Sequence, residues 1–356
     1  MVQAITVTGP VSDDELGQTM CHVHLLINIR MSEPEQYRKV ETASEAALRD
    51  KPANQWTFYD LGTIRRNVRL VKDNWILGDV DEMIGELMLY KRMGGTSVVE
   101  CTVSGIGRDP LGLMKIAGAT GVNVICSTGF YVSPTHPEFV KTSTVDDLCA
   151  HMVRELTVGI DDTGIRAGVL KNALSCPMGH PDVPFTGDEE KVLRATARAQ
   201  AETGSAVEIH PAGIFDKLRH HKAYLDVLEQ EGANLEKVQL CHFGKDPDID
   251  YIKSLLDRGA SISFDQLGSL SYQAPGRGNP SDGERVQQVV ALVEAGYTNQ
   301  ILLSNEVVHK SRLRKYGGYG YAHVLEYIVP DLKFYGVTDE QIKTMLVENP
   351  KRLYPF

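Results

Sequence analysis

Six cysteines (Cys21, Cys101, Cys126, Cys149, Cys176 and Cys241) are spread through 356 residues, and no two of them form a C-x-x-C pair. That excludes a dithiol redox motif or a zinc ribbon. Thiols set mostly inside apolar, strand-like runs read instead as reduced and buried. Nowhere do about 18 apolar residues follow one another, so no membrane span is expected. The N-terminal stretch MVQAITVTGPVSDDELG has no basic segment followed by an apolar one. No secretory signal is read there, and the expected location is the cytoplasm. Lysine and arginine form no long cluster and the formal net charge is −10, so a nucleic acid is not an expected partner. A G-x-S-x-G elbow is also missing, which leaves a serine hydrolase mechanism without support. There is no tandem repeat or low-complexity tract.

What is present is ordinary globular material, 42% hydrophobic and 24% charged, enough for a large core. Short Val- and Ile-rich runs alternate with stretches of helical periodicity, the signature of parallel βα units. Eight runs are read as strands: 21–26, 97–103, 123–131, 167–174, 206–212, 238–244, 260–268 and 300–308. Eight favours a closed (β/α)8 TIM barrel in the α/β class over an open sheet. The stretches EEKVLRATARAQAETG and ERVQQVVALVEAG read as helices closed by glycine, and TDEQIKTMLVENPKRL as a capped amphipathic helix. Residues 1–356 are read as one barrel domain, with 27–80 a helical insertion over the barrel mouth, because so long a connection is no simple loop.

Alternate residues of a strand share a face, so His22 and His24 in CHVHLL project together from the first strand. They could hold a metal ion or merely hydrogen-bond. His210 in VEIHPAG and His242 in LCHFGK stand at the ends of two further strands, at the edge where barrel enzymes place their sites. Four of the eleven histidines thus occupy matched places on three strands, which favours the metal. Lys171 is placed at the end of the fourth strand. As an ordinary ammonium it would reach for solvent and repel cations, whereas a carbamate formed with carbon dioxide would offer two anionic oxygens. Glu306, ending the eighth strand, could bind metal and accept a proton from water; the alternative is an ion pair with Lys310 or a nearby arginine. Asp265 and Glu100 are read as supporting carboxylates. Tyr316 to His323 (YGGYGYAH) reads as a loop over the site with no phosphate-binding role. His309, Lys310, Arg312 and Arg314 beside it are read as solvated, although they could contact an anionic substrate.

The chain resembles the phosphotriesterase family of the amidohydrolase superfamily. The likeness runs from TVTGPVSDDELG through GIGRDP, STGFY and RAGVLK to YGGYGYAH and ENPKRL. That family has H-x-H on the first strand, a carboxylated lysine on the fourth, histidines on the fifth and sixth and an aspartate on the eighth. His22, His24, Lys171, His210 and His242 match five of these positions. The likeness is strongest to the phosphotriesterase-related branch, which often carries a bridging glutamate where this chain keeps Lys171. The resemblance implies two divalent metals, zinc foremost with manganese or cobalt as substitutes, bridged by carboxylated Lys171 and by a hydroxide. It also implies a homodimer.

Glu306 replaces the family aspartate and is one methylene longer. Gln266 stands where acyl-homoserine lactonases carry an arginine, whereas their tyrosine has a match in Tyr131, a candidate substrate contact. The expected activity is hydrolysis of a lactone, carboxylic ester or phosphotriester by the metal-bridging hydroxide. One alternative is an amide or N-acyl amino acid hydrolase, and a second is a barrel that binds metal without turnover.

Overall fold

The computed structural model describes residues 2–30, 42–177, 180–211, 219–269 and 279–356. Eight parallel strands form one sheet in simple chain order. They are β1 (Thr19–Val23), β2 (Ser97–Glu100), β3 (Asn123–Phe130), β4 (Val169–Ala173), β5 (Val207–His210), β6 (Val238–Leu240), β7 (Ser261–Phe264) and β8 (Ile301–Leu303). Helices alternate with them: α1 (Val80–Arg92), α2 (Pro110–Thr120), α3 (Val145–Thr157), α4 (Gly187–Thr203), α5 (His221–Gln230), α6 (Ile249–Leu256) and α7 (Asp282–Glu294). This is the expected (β/α)8 barrel. Among the described residues no helix is long and apolar enough to cross a membrane.

The seam between β8 and β1 is closed by a side chain. Ser304 Oγ accepts from the His22 N–H at 3.1 Å and donates to the His22 carbonyl at 2.7 Å, and the Glu306 N–H donates to the same carbonyl at 3.1 Å. For this reason the eighth strand ends at Leu303, not Val308 as expected. The sixth and seventh strands are trimmed similarly, the second stops at Glu100, and the first lies earlier, at 19–23. The fifth-strand reading extends to Ala212, which lies outside the described residues.

Capping starts the helices where the sequence signals it. Thr186 and Glu189 form a reciprocal capping box on α4, which ends at Gly204 in the left-handed conformation; Ser281 and Glu284 do the same for α7. In GIGRDP, Asp109 caps α2 with Pro110 in its first turn. Arg108 forms a two-pronged ion pair with Glu155 of α3 at 2.6 and 2.8 Å. The motif is therefore a structural clasp.

Two cores follow from strand alternation. Outward residues such as Val98, Leu170, Val207, Ile209 and Ile262 pack under the helices. Inward residues Cys21, Val99, Cys101, Ile125, Val169 and Leu302 fill the lower barrel with Ala4, Leu16 and Tyr354. A hairpin of Gln3–Thr6 and Gly9–Ser12 lies beside this plug, and the Phe356 N–H bonds the Gln3 carbonyl. Gly129, the glycine of STGFY, has φ +114, and a Cβ there would sit 2.0 Å from the Lys171 carbonyl oxygen; only glycine lets β3 and β4 meet so closely.

After β1, Ile27–Asn28 pairs antiparallel with Ile76–Leu77. The insertion between them carries the helices Ala43–Leu48 and Phe58–Arg66. It docks on the segment after β8: Lys310 Nζ meets Asp73 at 2.7 Å, and the Ser311 N–H meets Asn74 Oδ1 at 2.8 Å.

Candidate metal centre

All six side chains proposed from the sequence as metal ligands converge at the C-terminal end of the barrel. His22, His24, Lys171, His242 and Glu306 are buried and His210 is partly exposed. His242 Nε2 lies 2.6 Å from His210 Nδ1 and 3.2 Å from Glu306 Oε1. His22 Nε2 is 3.6 Å from that same carboxylate oxygen. Lys171 Nζ is 3.5 Å from each ring nitrogen of His22. The His24 ring stands 5.7 Å, centroid to centroid, from that of His22. Tyr131 reaches the rim, its hydroxyl 3.4 Å from His210 Nε2.

The backbone departs from ideal strands to achieve this. Pairing of β1 with β2 slips between Met20 and Val23, which lets Cys21 fill the barrel while its neighbour His22 reaches the cluster. His242 and Glu306 have φ +68 and +36, a left-handed conformation that non-glycine residues adopt only when their surroundings enforce it. Lys171 is the third of five residues in β4 rather than its end. Its long side chain spans the remaining height, as the buried position beside His22 requires.

Each histidine outside the strands is held through its second nitrogen. His242 Nδ1 is 2.8 Å from Asp265 Oδ1, and the His242 N–H also bonds that carboxylate. Burial opposes the ionised form of Asp265, yet the His242 ring and the Ser263 hydroxyl hold its carboxyl below the usual range. His24 Nδ1 is 2.8 Å from Thr102 Oγ1, which donates to Glu100 Oε1 at 2.5 Å. Burial pushes Glu100 up to about 7. Both carboxylates thus play the supporting part expected of them.

Gln266 does not stand open to substrate: its Nε2 donates to Glu306 Oε2 at 2.9 Å. The expectation of a solvated basic loop fails in part. His309 is 9% exposed and stacks edge-on against Trp75, and the guanidinium of Arg312 is hydrogen-bonded to three backbone carbonyls. YGGYGYAH does lie over the cluster, since buried Tyr321 donates its hydroxyl to the His24 carbonyl at 2.5 Å.

Glu208 is the residue that sequence reasoning missed. It is fully buried, with Oε2 3.4 Å from His22 Nδ1 and 3.7 Å from Lys171 Nζ. Cys101 Sγ and the Tyr354 hydroxyl, the latter from the barrel floor, also reach it. Burial raises its carboxyl to about 7, against the pull of Lys171. The signal was available: Glu208 precedes His210 by two in a strand and so shares its inward face.

The residues fit a metal. Among the described residues, donor atoms of His22, His242 and Glu306 lie within 4.8 Å of one another, as do those of His22, Cys101 and Glu208 and of His22, Cys241 and Asp265. Burial first, then Lys171 and the neighbouring rings, hold His22, His24 and His210 well below the usual histidine range. Neutral imidazoles with fixed tautomers and an adjoining carboxylate are what a divalent ion such as zinc binds.

Fold and site together define a metal-dependent hydrolase on a (β/α)8 barrel. Residues 2–354 match the model of the phosphotriesterase family, and the chain belongs to that family of metal-dependent enzymes. Curated relatives include an N-acetyltaurine hydrolase of Xenopus tropicalis, 32% identical over 363 residues that cover 99% of this chain and 97% of the relative. Among solved structures, a resiniferatoxin-binding protein from Rhodobacter sphaeroides superposes with a TM-score of 0.90 at 34% identity, covering 99% of this chain and 94% of that one. A mutant phosphotriesterase-like lactonase of Deinococcus radiodurans does so with a TM-score of 0.75 at 28% identity, over 99% of both chains.

Proposed function

We propose that this enzyme hydrolyses the amide bond of a small acylated amine at a centre of two divalent ions held by His22, His24, Lys171, His210, His242 and Glu306. The observation that carries the reading is the contact of His210, His242 and Glu306 at the barrel mouth. The choice of an amide is supported by the relative named N-acetyltaurine hydrolase, similar over nearly the whole of both chains. Zinc is the metal best suited to imidazole and carboxylate donors, with manganese or cobalt able to substitute. In this reading Lys171 is carboxylated, and its carbamate oxygens would help to hold the ions.

When bound, the ions would polarise the scissile carbonyl and lower the pKa of water toward neutrality. The chain's own groups do the rest. Glu306 accepts a proton from the attacking water and delivers it to the departing nitrogen. The water oxygen joins the carbonyl carbon, the C–N bond breaks with its electron pair going to nitrogen, the second water proton follows the first to that nitrogen, and a carboxylate and an ammonium leave. Gln266 fixes the carboxylate plane of Glu306 through Oε2, leaving Oε1 turned toward the histidines. Tyr131, whose hydroxyl lies 3.4 Å from His210 Nε2, would contact the substrate in this reading.

Hydrolysis of a lactone, ester or phosphotriester is the second reading, favoured by the lactonase neighbour and by Tyr131. A panel of matched amides, lactones, esters and phosphotriesters, run on metal-reconstituted protein, separates the two. Amides should show the highest kcat/KM; preference for a lactone or phosphotriester would overturn the amide reading, and metal binding without any turnover would leave a binding barrel. Elemental analysis should find close to two ions per chain, lost on joint replacement of His22 and His24. Lys171→Met should lower metal content and activity together, with partial rescue by short carboxylates. Glu306→Gln should retain much of the metal and lose roughly 10²-fold in turnover, the size of a general-base contribution.

A further inference from the structure

A cavity of about 160 Å³ opens where three loops meet, lined among others by Arg65 from the insertion, Gly268 and Ser269 after β7, and Arg312, Gly317 and Gly318 after β8. It adjoins the candidate centre by two routes. Arg312 Nη1 donates to the Glu306 carbonyl at 2.7 Å. Gly268 and Ser269 follow Gln266, whose amide holds the Glu306 carboxylate.

The two arginines lining it direct their hydrogen bonds to backbone carbonyls. Arg312 donates to the carbonyls of Glu306, Leu267 and Asn305, and Arg65 to that of Gly317. Among the described residues neither guanidinium forms an ion pair with a carboxylate. Their basic neighbours on the same loops do: Lys310 with Asp73, Arg314 with Glu326 and Lys315 with Glu82. Burial pushes the Arg312 guanidinium down to about 10, so it remains a cation at neutral pH. The carboxylates of Glu306, Asp282 and Asp265 attract Arg312 only from a distance, and guanidinium groups bind oxyanions with strong, directional, charge-assisted hydrogen bonds.

Backbone choice keeps the space open. A Cβ on Gly318 would lie 2.2 Å from the Arg312 carbonyl carbon and oxygen, and one on Gly317, at φ +78, would press on the Arg65 guanidinium at 3.2 Å. The glycines of YGGYGYAH thus bring bare backbone against the two arginines, adding no side chain of their own to the cavity.

We propose that the Arg65–Arg312 cavity is an oxyanion subsite that seats a carboxylate or sulfonate carried by the amine half of the substrate. The assignment rests on the amide reading above and adds to it the charge of the substrate and the residues that select it.

The test uses metal-reconstituted enzyme and three acetamides that share an N-ethyl skeleton and differ in the group at its end: N-ethylacetamide, N-acetyl-β-alanine and 2-acetamidoethanesulfonate. At least one anionic amide should exceed the neutral one in kcat/KM by about tenfold or more, chiefly through KM, and the better of the two identifies the oxyanion. Arg65→Gln should shrink that anionic-to-neutral ratio by about tenfold, with partial recovery in Arg65→Lys. Arg312→Lys, which keeps a charge where three carbonyls need a donor, should shrink it too. Equal kcat/KM for charged and neutral amides, or an unchanged ratio in Arg65→Gln, would overturn the proposal. If no amide is turned over, the amide reading fails separately, and calorimetric titration of 2-aminoethanesulfonate and β-alanine into the metal-loaded protein decides the subsite. Binding that weakens in Arg65→Gln upholds it; absent or unaltered binding overturns it.

Discussion

His242 and His24 belong to one cluster but are steadied in different ways. His242 Nδ1 meets a carboxylate directly, Asp265 at 2.8 Å. His24 Nδ1 meets the Thr102 hydroxyl at the same distance, and only through it the carboxyl of Glu100. A direct carboxylate both fixes the ring and raises the basicity of its other nitrogen. A hydroxyl relay fixes orientation while passing on little charge. The electrostatic surroundings agree, for His242 and Ser263 hold Asp265 below its usual range, whereas burial raises Glu100 to about 7. One side of the centre is supported directly by a carboxylate held below its usual range, the other through a hydroxyl by an acid that burial pushes up to about 7.

The sharpest way to break this contrast is Asp265→Asn, which keeps the shape and removes the charge. Metal affinity, read by competition with a chelator, should fall by about 10- to 100-fold. Thr102→Val removes the relay; the same titration should show a smaller loss, under about tenfold. Equal losses would mean that the two supports act alike.

Glu100→Gln should disturb metal binding least, and it sharpens the contrast through pH. Because the folded-state carboxyl titrates near 7, above its ordinary value of 4.5, the folded state retains a proton that the unfolded chain releases between those values. Stability from this group is complete below about pH 4.5 and declines as pH rises through about 7. Glutamine carries no such titration. The variant's Tm relative to wild type should therefore rise by a few degrees between pH 5 and pH 8, and a constant difference would place Glu100 outside the relay.

Much of this arrangement can be read from the chain. The barrel is legible because Val and Ile runs and helical stretches alternate eight times, and His22, His24, His210, His242 and Glu306 stand where strands give way to loops. Periodicity stops being informative where the backbone breaks it. The slip in β1, the positive φ of His242 and Glu306 and the short β8 depend on contacts between segments remote in sequence, which leave no local trace. Lys171 lies deeper than its motif suggests because side-chain length substitutes for strand position. Glu208 shares the inward face of His210, but the alternation that puts it there does not say that His22 and Lys171 will be its partners. Arg312 looked solvated since burial of a basic loop residue depends on the insertion folding over it, and that contact joins segments remote in sequence.

The side-chain seam that closes the barrel also orders events in time. His210 and His242 meet across 32 residues, on adjoining strands. His22 joins the opposite edge of the sheet through Ser304, 282 residues away, and Cys21 is held by Tyr354 from 333 residues away. Contacts between distant segments form late, because the chain loses more freedom in making them. The β5–β6 half of the centre can therefore exist before the β1–β8 half, and an ion captured early would meet two imidazoles first and acquire Glu306 only as the seam shuts.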